Sequence, residues 1–216
     1  MRLIPILALL ALGGCNMVIT QAPMFTKADG AGAPGFRPGV WRGKPDAGCA
    51  FDETSPLDDW PACANGALVD DDAISMVKTV NGERTVAAKI GYVLTAGDPR
   101  ILQLSVAGLT PGFGLSLTGY LYGGVRPTKT DDRGRIIAYT TWFVACGPPP
   151  PPPAAGSSPN KISVATLSPF PGLMMDKSGQ NCTPNSVAAL RNAAVESAKL
   201  PADAPSQTRW VRDGDR

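Results

Sequence analysis

Asp70-Asp71-Asp72 is the densest run of chemically able side chains in the sequence. Three carboxylates supply the oxygen ligands that Ca²⁺ takes, but consecutive residues point different ways and the D-x-D-x-D-G spacing of a calcium loop is missing. The run reads as a solvated turn ahead of a strand, and neither a metal nor another cofactor is expected. Asp131-Asp132, within Thr-Asp-Asp-Arg-Gly, has the composition of a hairpin turn. Carboxyl pairs that cut glycans face one another across about 5–9.5 Å, and no spacing here places two acids so. Ser75-Met76-Val77-Lys78 matches the Ser-x-x-Lys of penicillin-binding enzymes. It lacks the Ser-Asp-Asn and Lys-Thr-Gly partners and falls in a stretch that reads as strand, not helix. Histidine is absent altogether, which excludes Ser-His-Asp and Cys-His nucleophiles, the His-containing zinc sites and a histidine pH switch. No catalytic residue is assigned. The remaining candidates are aromatic: Trp41 and Trp60 would make a sugar-stacking platform if their faces were exposed together, and would otherwise cover a core. The formal net charge is +2 without a basic cluster, so nucleic acid is not an expected partner.

The elements that must position these residues begin at an unusual N-terminus. Arg2 is followed by an apolar run, Leu3 to Leu12, with Pro5 inside it. As a helix such a run rises about 15 Å, half of a ~30 Å hydrocarbon core, which suits a signal peptide and not a membrane span. Leu12-Gly13-Gly14-Cys15 closely resembles the lipobox of bacterial lipoproteins. The resemblance implies cleavage before Cys15, a diacylglycerol on its sulfur and an acylated amine. Asn16 in place of Asp at the next position implies sorting to the outer membrane, facing the periplasm. Residues 1–14 are then a lipoprotein signal peptide and 15–39 a lipidated Gly/Ala/Pro-rich tether. Residues 40–216 form a single β-rich periplasmic domain with a Pro-rich loop at 147–160. Within the tether, Val18, Ile19, Met24 and Phe25 are apolar enough to dock on that domain. Pro38-Gly39-Val40-Trp41 is similar to PGxW entries of other small envelope proteins, a likeness too short to carry a function.

With Cys15 committed to lipid, Cys49, Cys63, Cys146 and Cys182 remain. An even count in an oxidising compartment makes disulfides the default. Of the three connectivities we expect Cys49–Cys63 and Cys146–Cys182, because each encloses a segment with little periodicity. No C-x-x-C spacing supports zinc or a redox pair.

The middle of the chain reads as β. Ala73–Val80 and Glu83–Leu94 flank Asn81-Gly82, the strongest short hairpin signal. Ile101–Val106, Leu115–Val125 and Arg135–Cys146 follow after turn-forming stretches. Gly119, Gly123 and Gly124 predict a bulge or sharp bend. Pro148–Pro153 is an unbroken hexaproline, a stiff surface rod about 19 Å long at ~3.1 Å per residue. Ile162–Leu167 offers one further strand, and Phe170, Leu173, Met174 and Met175 read as core. Thr183 as N-cap with Pro184 opens a helix running to about Leu200, and Thr208–Arg212 suits an edge strand.

The expected fold is mainly β: an antiparallel meander forming a sandwich or barrel, with one C-terminal α-helix and disulfides. The expected function is that of a non-enzymatic envelope binding or structural component. Its expected partners are the membrane, through the N-terminal lipid, and an envelope protein or glycan. A carboxylate-dependent cell-wall glycan hydrolase and a lipocalin-like carrier of an apolar ligand are the alternatives.

Overall fold

Alternating apolar residues after Ala73 form the meander that their period requires, and the meander closes on itself. The computed structural model describes residues 16–80, 83–106, 118–149, 168–177, 179, 181–200 and 206–214. The strands are β1 (Met17–Thr20), β2 (Gly39–Arg42), β3 (Gly66–Val69), β4 (Ala73–Val80), β5 (Glu83–Leu94) and β6 (Arg100–Ser105). They continue with β7 (Tyr120–Thr130), β8 (Ile136–Phe143), β9 (Leu173–Met175), β10 (Asn181–Pro184) and β11 (Ser206–Arg212). One α-helix, α1 (Val187–Ser197), joins β10 to β11, and a 3₁₀ turn, η1 (Lys27–Gly30), lies between β1 and β2.

Each of β2 to β7 pairs antiparallel with the next strand in the chain. β11 then pairs antiparallel with both β8 and β2. The result is an eight-stranded, closed, up-and-down antiparallel barrel. Thr208–Arg212 is therefore not an edge strand, as its polar alternation suggested, but the stave that completes the wall. Closure removes two rows of unpaired backbone groups at once.

The direction of each strand sorts the connections into two kinds. At one end lie only short turns, 70–72, 95–99 and 131–135. At the other lie the long connections 43–65, 106–119 and 144–205. Both disulfides belong to this long-loop end. Cys49–Cys63 and Cys146–Cys182 form as expected, with Cα separations of 5.8 Å and 5.7 Å.

A second, smaller sheet leaves the wall at the long-loop end. β1 pairs antiparallel with the start of β7, Ile19 opposite Leu121. It also pairs in parallel with β10, Val18 opposite Cys182, and β10 pairs antiparallel with β9. Gly119, with φ +100°, lets β1 pass so closely that a Cβ there would overlap the Thr20 carbonyl. The register shifts of β7 fall at Pro127 to Thr130 instead, so its glycines serve close approach and not a bulge. Gly124 is the clearest case, since a Cβ would occupy the space of the Trp142 indole.

The 15–39 segment is not a free tether. From Asn16 onward it is packed against the domain, with Val18, Phe25 and Phe36 buried. The apolar spacing of Val18, Phe25 and Phe36 has no period because each meets a different part of the barrel. Helix α1 begins later than Thr183, because Thr183 and Pro184 belong to β10 and Ser186 is the N-cap, accepting from the Ala189 N–H. Its buried residues Leu190, Ala193 and Ala194 join Val18, Tyr122, Val144 and Leu173 in a core on the outer face of the barrel wall. Among the described residues no helix is long and apolar enough to cross a membrane. Gly147, Pro148 and Pro149 are the only described part of the Pro-rich loop; the rest of the hexaproline and Ile162–Leu167 lie outside the described residues.

Candidate functional site: the two ends of the barrel

The short-turn end is closed by the chain that precedes β2. From η1 the backbone crosses the barrel mouth, with the Ile136 N–H donating to the Gly35 carbonyl and the Arg37 N–H to the Ile136 carbonyl, both at 2.9 Å. This strap drops Phe36 into the interior. Its ring centroid lies 4.9 Å from that of Tyr139, 5.5 Å from Trp41 and 5.6 Å from Tyr92. An eight-stranded barrel is just wide enough to be filled by side chains or to hold one small ligand. Here this end of the interior is filled by aromatic rings. Their burial raises the phenols of both tyrosines, Tyr139 to about 12.

Beside the plug, Arg100 is buried without a carboxylate partner among the described residues. Its Nε donates to the Thr95 carbonyl at 2.7 Å, and another guanidinium N–H donates to the Pro34 carbonyl. The desolvation of burial lowers its pKa from the usual arginine value. The chemistry is that of a clamp: a cation spans rim and strap through backbone oxygens. A shallow cleft beside it is lined by Lys27, Gly30, Asp71, Tyr92 and Leu94.

The acidic runs are structural here. Asp72 meets Lys27 at 3.3 Å at the surface, and the Asp70 carbonyl accepts from the Tyr92 hydroxyl at 2.9 Å. Among the described residues no three metal-ligating groups converge. Asp131 organises the β7–β8 turn. Burial pushes its carboxyl up, but the Arg135 and Arg133 backbone N–H groups and the Arg135 side chain outweigh this and hold it below the usual carboxylate range. Asp213 is likewise lowered by Arg37, whose guanidinium stacks over Trp210 at 3.7 Å. Asp29 and Asp52 are lowered by the backbone N–H groups of Thr26 and Thr54 in their own turns.

Outside the wall, the loop stapled by Cys49–Cys63 covers β2 and β11. Glu53 meets Arg209 at 2.5 Å and lies 2.6 Å from Arg42 Nε. The second contact is an ion contact only, since Nε is not aligned for a hydrogen bond. Arg212 donates to the carbonyls of Glu53 and Ser55. Spacing gave no sign of Phe36, Arg100 or this arginine cluster, because each partner is distant in sequence.

Trp41 and Trp60 are not brought together. Trp41 is 2% exposed inside the barrel, while Trp60 packs on the outer side with Val40, Leu57 and Ala64. Adjacent residues of a strand face opposite sides, so Val40 reaches Trp60 and Trp41 reaches Phe36. Neither indole presents a free face for a sugar. Ser75 is buried in β4. Leu173 joins the outer core, with Phe170 and Met175 packed against it, but Met174 is exposed, contrary to the expectation that all four are core.

At the long-loop end the described chain starts. Asn16 is fixed at once: its side-chain N–H donates to the Gly147 carbonyl at 2.9 Å, and its backbone and side-chain oxygens accept from the Cys146 N–H at 3.0 and 3.1 Å. The Val18 N–H donates to the Val144 carbonyl at 3.0 Å. Cys15, the expected lipidation site, precedes these contacts by one residue and lies outside the described residues. No family model, curated protein or solved structure matches the chain.

Proposed function

We propose that the chain is a lipid-anchored outer-membrane protein facing the periplasm, acting without catalysis as a structural or binding component of the envelope. The observation that carries this reading is the docking of Asn16 directly after the lipobox cysteine. An anchor at Cys15 would join the fold with no spacer, holding the barrel at the bilayer instead of letting it range through the periplasm.

Four carboxyl groups are unsuited to the role of a glycosidase acid. A glycosidase acid needs a raised affinity for its proton, whereas Asp29, Asp52, Asp131 and Asp213 are all held low by their donors. One observation favours a carrier as a second reading, the closure of the eight-stranded barrel. Phe36, Trp41, Tyr92 and Tyr139 occupy part of the space such a carrier would use.

Cys15→Ala in the full-length chain is the test. It should abolish palmitate incorporation and release the protein from the membrane fraction, and unchanged labelling would refute the anchor. Soluble fragments released from purified sacculi by native but not heat-denatured protein would refute the absence of catalysis. A stoichiometric apolar ligand in native mass spectra would favour the carrier.

A further inference from the structure

We infer that the apolar face formed by Met17, Ile19, Phe143 and Met174 rests on the lipid bilayer, so that the long-loop end of the barrel points at the membrane. The inference rests on the anchor proposed above and adds an orientation and a contact surface to it.

The registers place these four residues on one face. Gly123 is opposite both Leu102, which is packed inside the barrel, and Phe143, so Phe143 stands on the interior face at its mouth. Met17 bridges Ala145, which shares that face with Phe143 two residues away. Ile19 is opposite Leu121, and Leu121 is opposite the inward-facing Leu104. Met174 is opposite Thr183, whose hydroxyl donates to the Ile19 carbonyl. The small sheet of β1, β10 and β9 thus continues the interior surface of the barrel outward as a flap. Its other face is already used, since Val18, Cys182 and Leu173 bury it under α1.

Among the described residues, two side chains of the free face are exposed and the other two, Met17 and Ile19, are half-buried. Phe143 is 53% exposed and Met174 59%, two of the largest exposed apolar side chains among the described residues. Exposed apolar surface of this kind marks a contact with a membrane or a partner. The position of the chain start decides between them. Asn16 is hydrogen-bonded at the root of the flap, and consecutive Cα atoms are only about 3.8 Å apart. Acyl chains on Cys15 would therefore enter the bilayer beside Met17, with no length of chain in which the barrel could turn the flap away. A lipid surface is permanently within reach of this face, whereas a protein partner must first displace it.

The test uses the full-length lipidated protein in phosphatidylethanolamine/phosphatidylglycerol vesicles containing brominated phosphatidylcholine. Phe143→Trp and Met174→Trp report the flap, and Asp132→Trp reports the exposed turn at the opposite end. The added fluorescence of the first two should be quenched by brominated lipid at least twofold more than that of the third. It should also be shielded from aqueous acrylamide. Acyl mass on the protein with flap tryptophans open to acrylamide and unquenched by lipid would overturn the orientation while sparing the anchor. Shielding from both quenchers would show that protein, a second copy or a partner, covers the flap, and would overturn it too. Absence of acyl mass would overturn the anchor and the orientation together.

Discussion

Phe36→Ala removes the ring that closes the short-turn end, and its cost follows from the packing around it. Phe36 is 4% exposed and within 5.6 Å, centroid to centroid, of Tyr139, Trp41 and Tyr92. Truncating a buried phenylalanine costs about 3–5 kcal/mol, part from lost transfer and part from the cavity left behind. The cavity cannot collapse readily, because three of its walls are rings fixed on β2, β5 and β8 and the fourth is a strap held by Gly35 and Arg37. A loss near the upper part of that range is expected, a large share of a typical total of roughly 5–15 kcal/mol. For a chain of this size the melting temperature should fall by roughly 10 °C or more. Phe36→Leu keeps the burial and loses the ring contacts, so about 1–2 kcal/mol is expected. The assay is urea unfolding with the disulfides intact, followed by tryptophan fluorescence. The midpoint should fall with the slope unchanged, and Trp41 emission should shift to the red as its neighbour is removed. A loss for Phe36→Ala below about 1 kcal/mol would be falsified packing: it would show that the strap lies over the mouth without plugging it.

Gly124→Ala should force the Trp142 indole from its place and break its 2.9 Å hydrogen bond to the Ala194 carbonyl, detaching α1 from the wall. A cost of about 2–3 kcal/mol, read from urea midpoints, is expected, and a neutral result would show that the indole has room to move. Removing Cys49 and Cys63 together by serine substitution should cost about 3 kcal/mol, and removing Cys146 and Cys182 about 4, from the longer loop. Separations of 14 and 36 residues set that order, and equal losses in thermal unfolding would contradict it. Arg100→Met leaves the carbonyls of Thr95 and Pro34 without their donor and should speed amide exchange at residues 29–37, which Arg100→Lys should not restore because one ammonium cannot reproduce the guanidinium fork. Asp131 has its folded pKa below the unfolded value of 3.8, so its contribution is present above that value and lost as pH falls through the lower one. Wild type should therefore exceed Asp131→Asn in urea midpoint by a constant margin near neutrality, shrinking below about pH 4, and a margin that grows on acidification would reverse the sign.

The central meander was legible because its information is local. Asn81-Gly82 between apolar runs located β4 and β5 to the residue, and the turn composition around Asp98 and Asp131 located the starts of β6 and β8 to within one residue. β7 runs from Tyr120 to Thr130, ending five residues beyond the expected Leu115–Val125, because the polar Arg126–Thr130 reads as turn but pairs with β8. Cysteine spacing led to the right pairs for a similar reason, since both members of each pair lie between the same two consecutive barrel strands, β2 and β3 or β8 and β11. What stayed hidden depends on partners far along the chain. β1, β2 and β3 are four residues each, too short to show a period; β1 exists because β7 and β10 offer it ladders, β2 because β11 and β3 do, and β3 because it lies between β2 and β4. The helix start was misplaced because Thr183 and Pro184 satisfy a capping pattern and also fit β10, and pairing with Met174 and Leu173 prevailed. Both tryptophans cover core, as the second of their two readings had it, but which side of the wall each takes was hidden, because Phe36 meets Trp41 inside the barrel and Val40 meets Trp60 outside it only in the folded chain.

The wall is completed by its last stave. Trp210 donates to the Pro38 carbonyl across 172 residues, and β11 lies opposite β2 at Trp41 and opposite β8 at Tyr139. A chain lacking residues 206–212 would expose the flanks of β2 and β8 as two open templates, each able to recruit a strand from another molecule. During synthesis this vulnerable state is unavoidable, because β2 to β8 emerge before the segment that seals them. Proteolytic clipping at the C-terminal side would recreate it in the folded protein. Assembly quality is thus decided by one seven-residue segment, and a chaperone that shields the gap until it arrives would matter more to yield than any added stability in the meander.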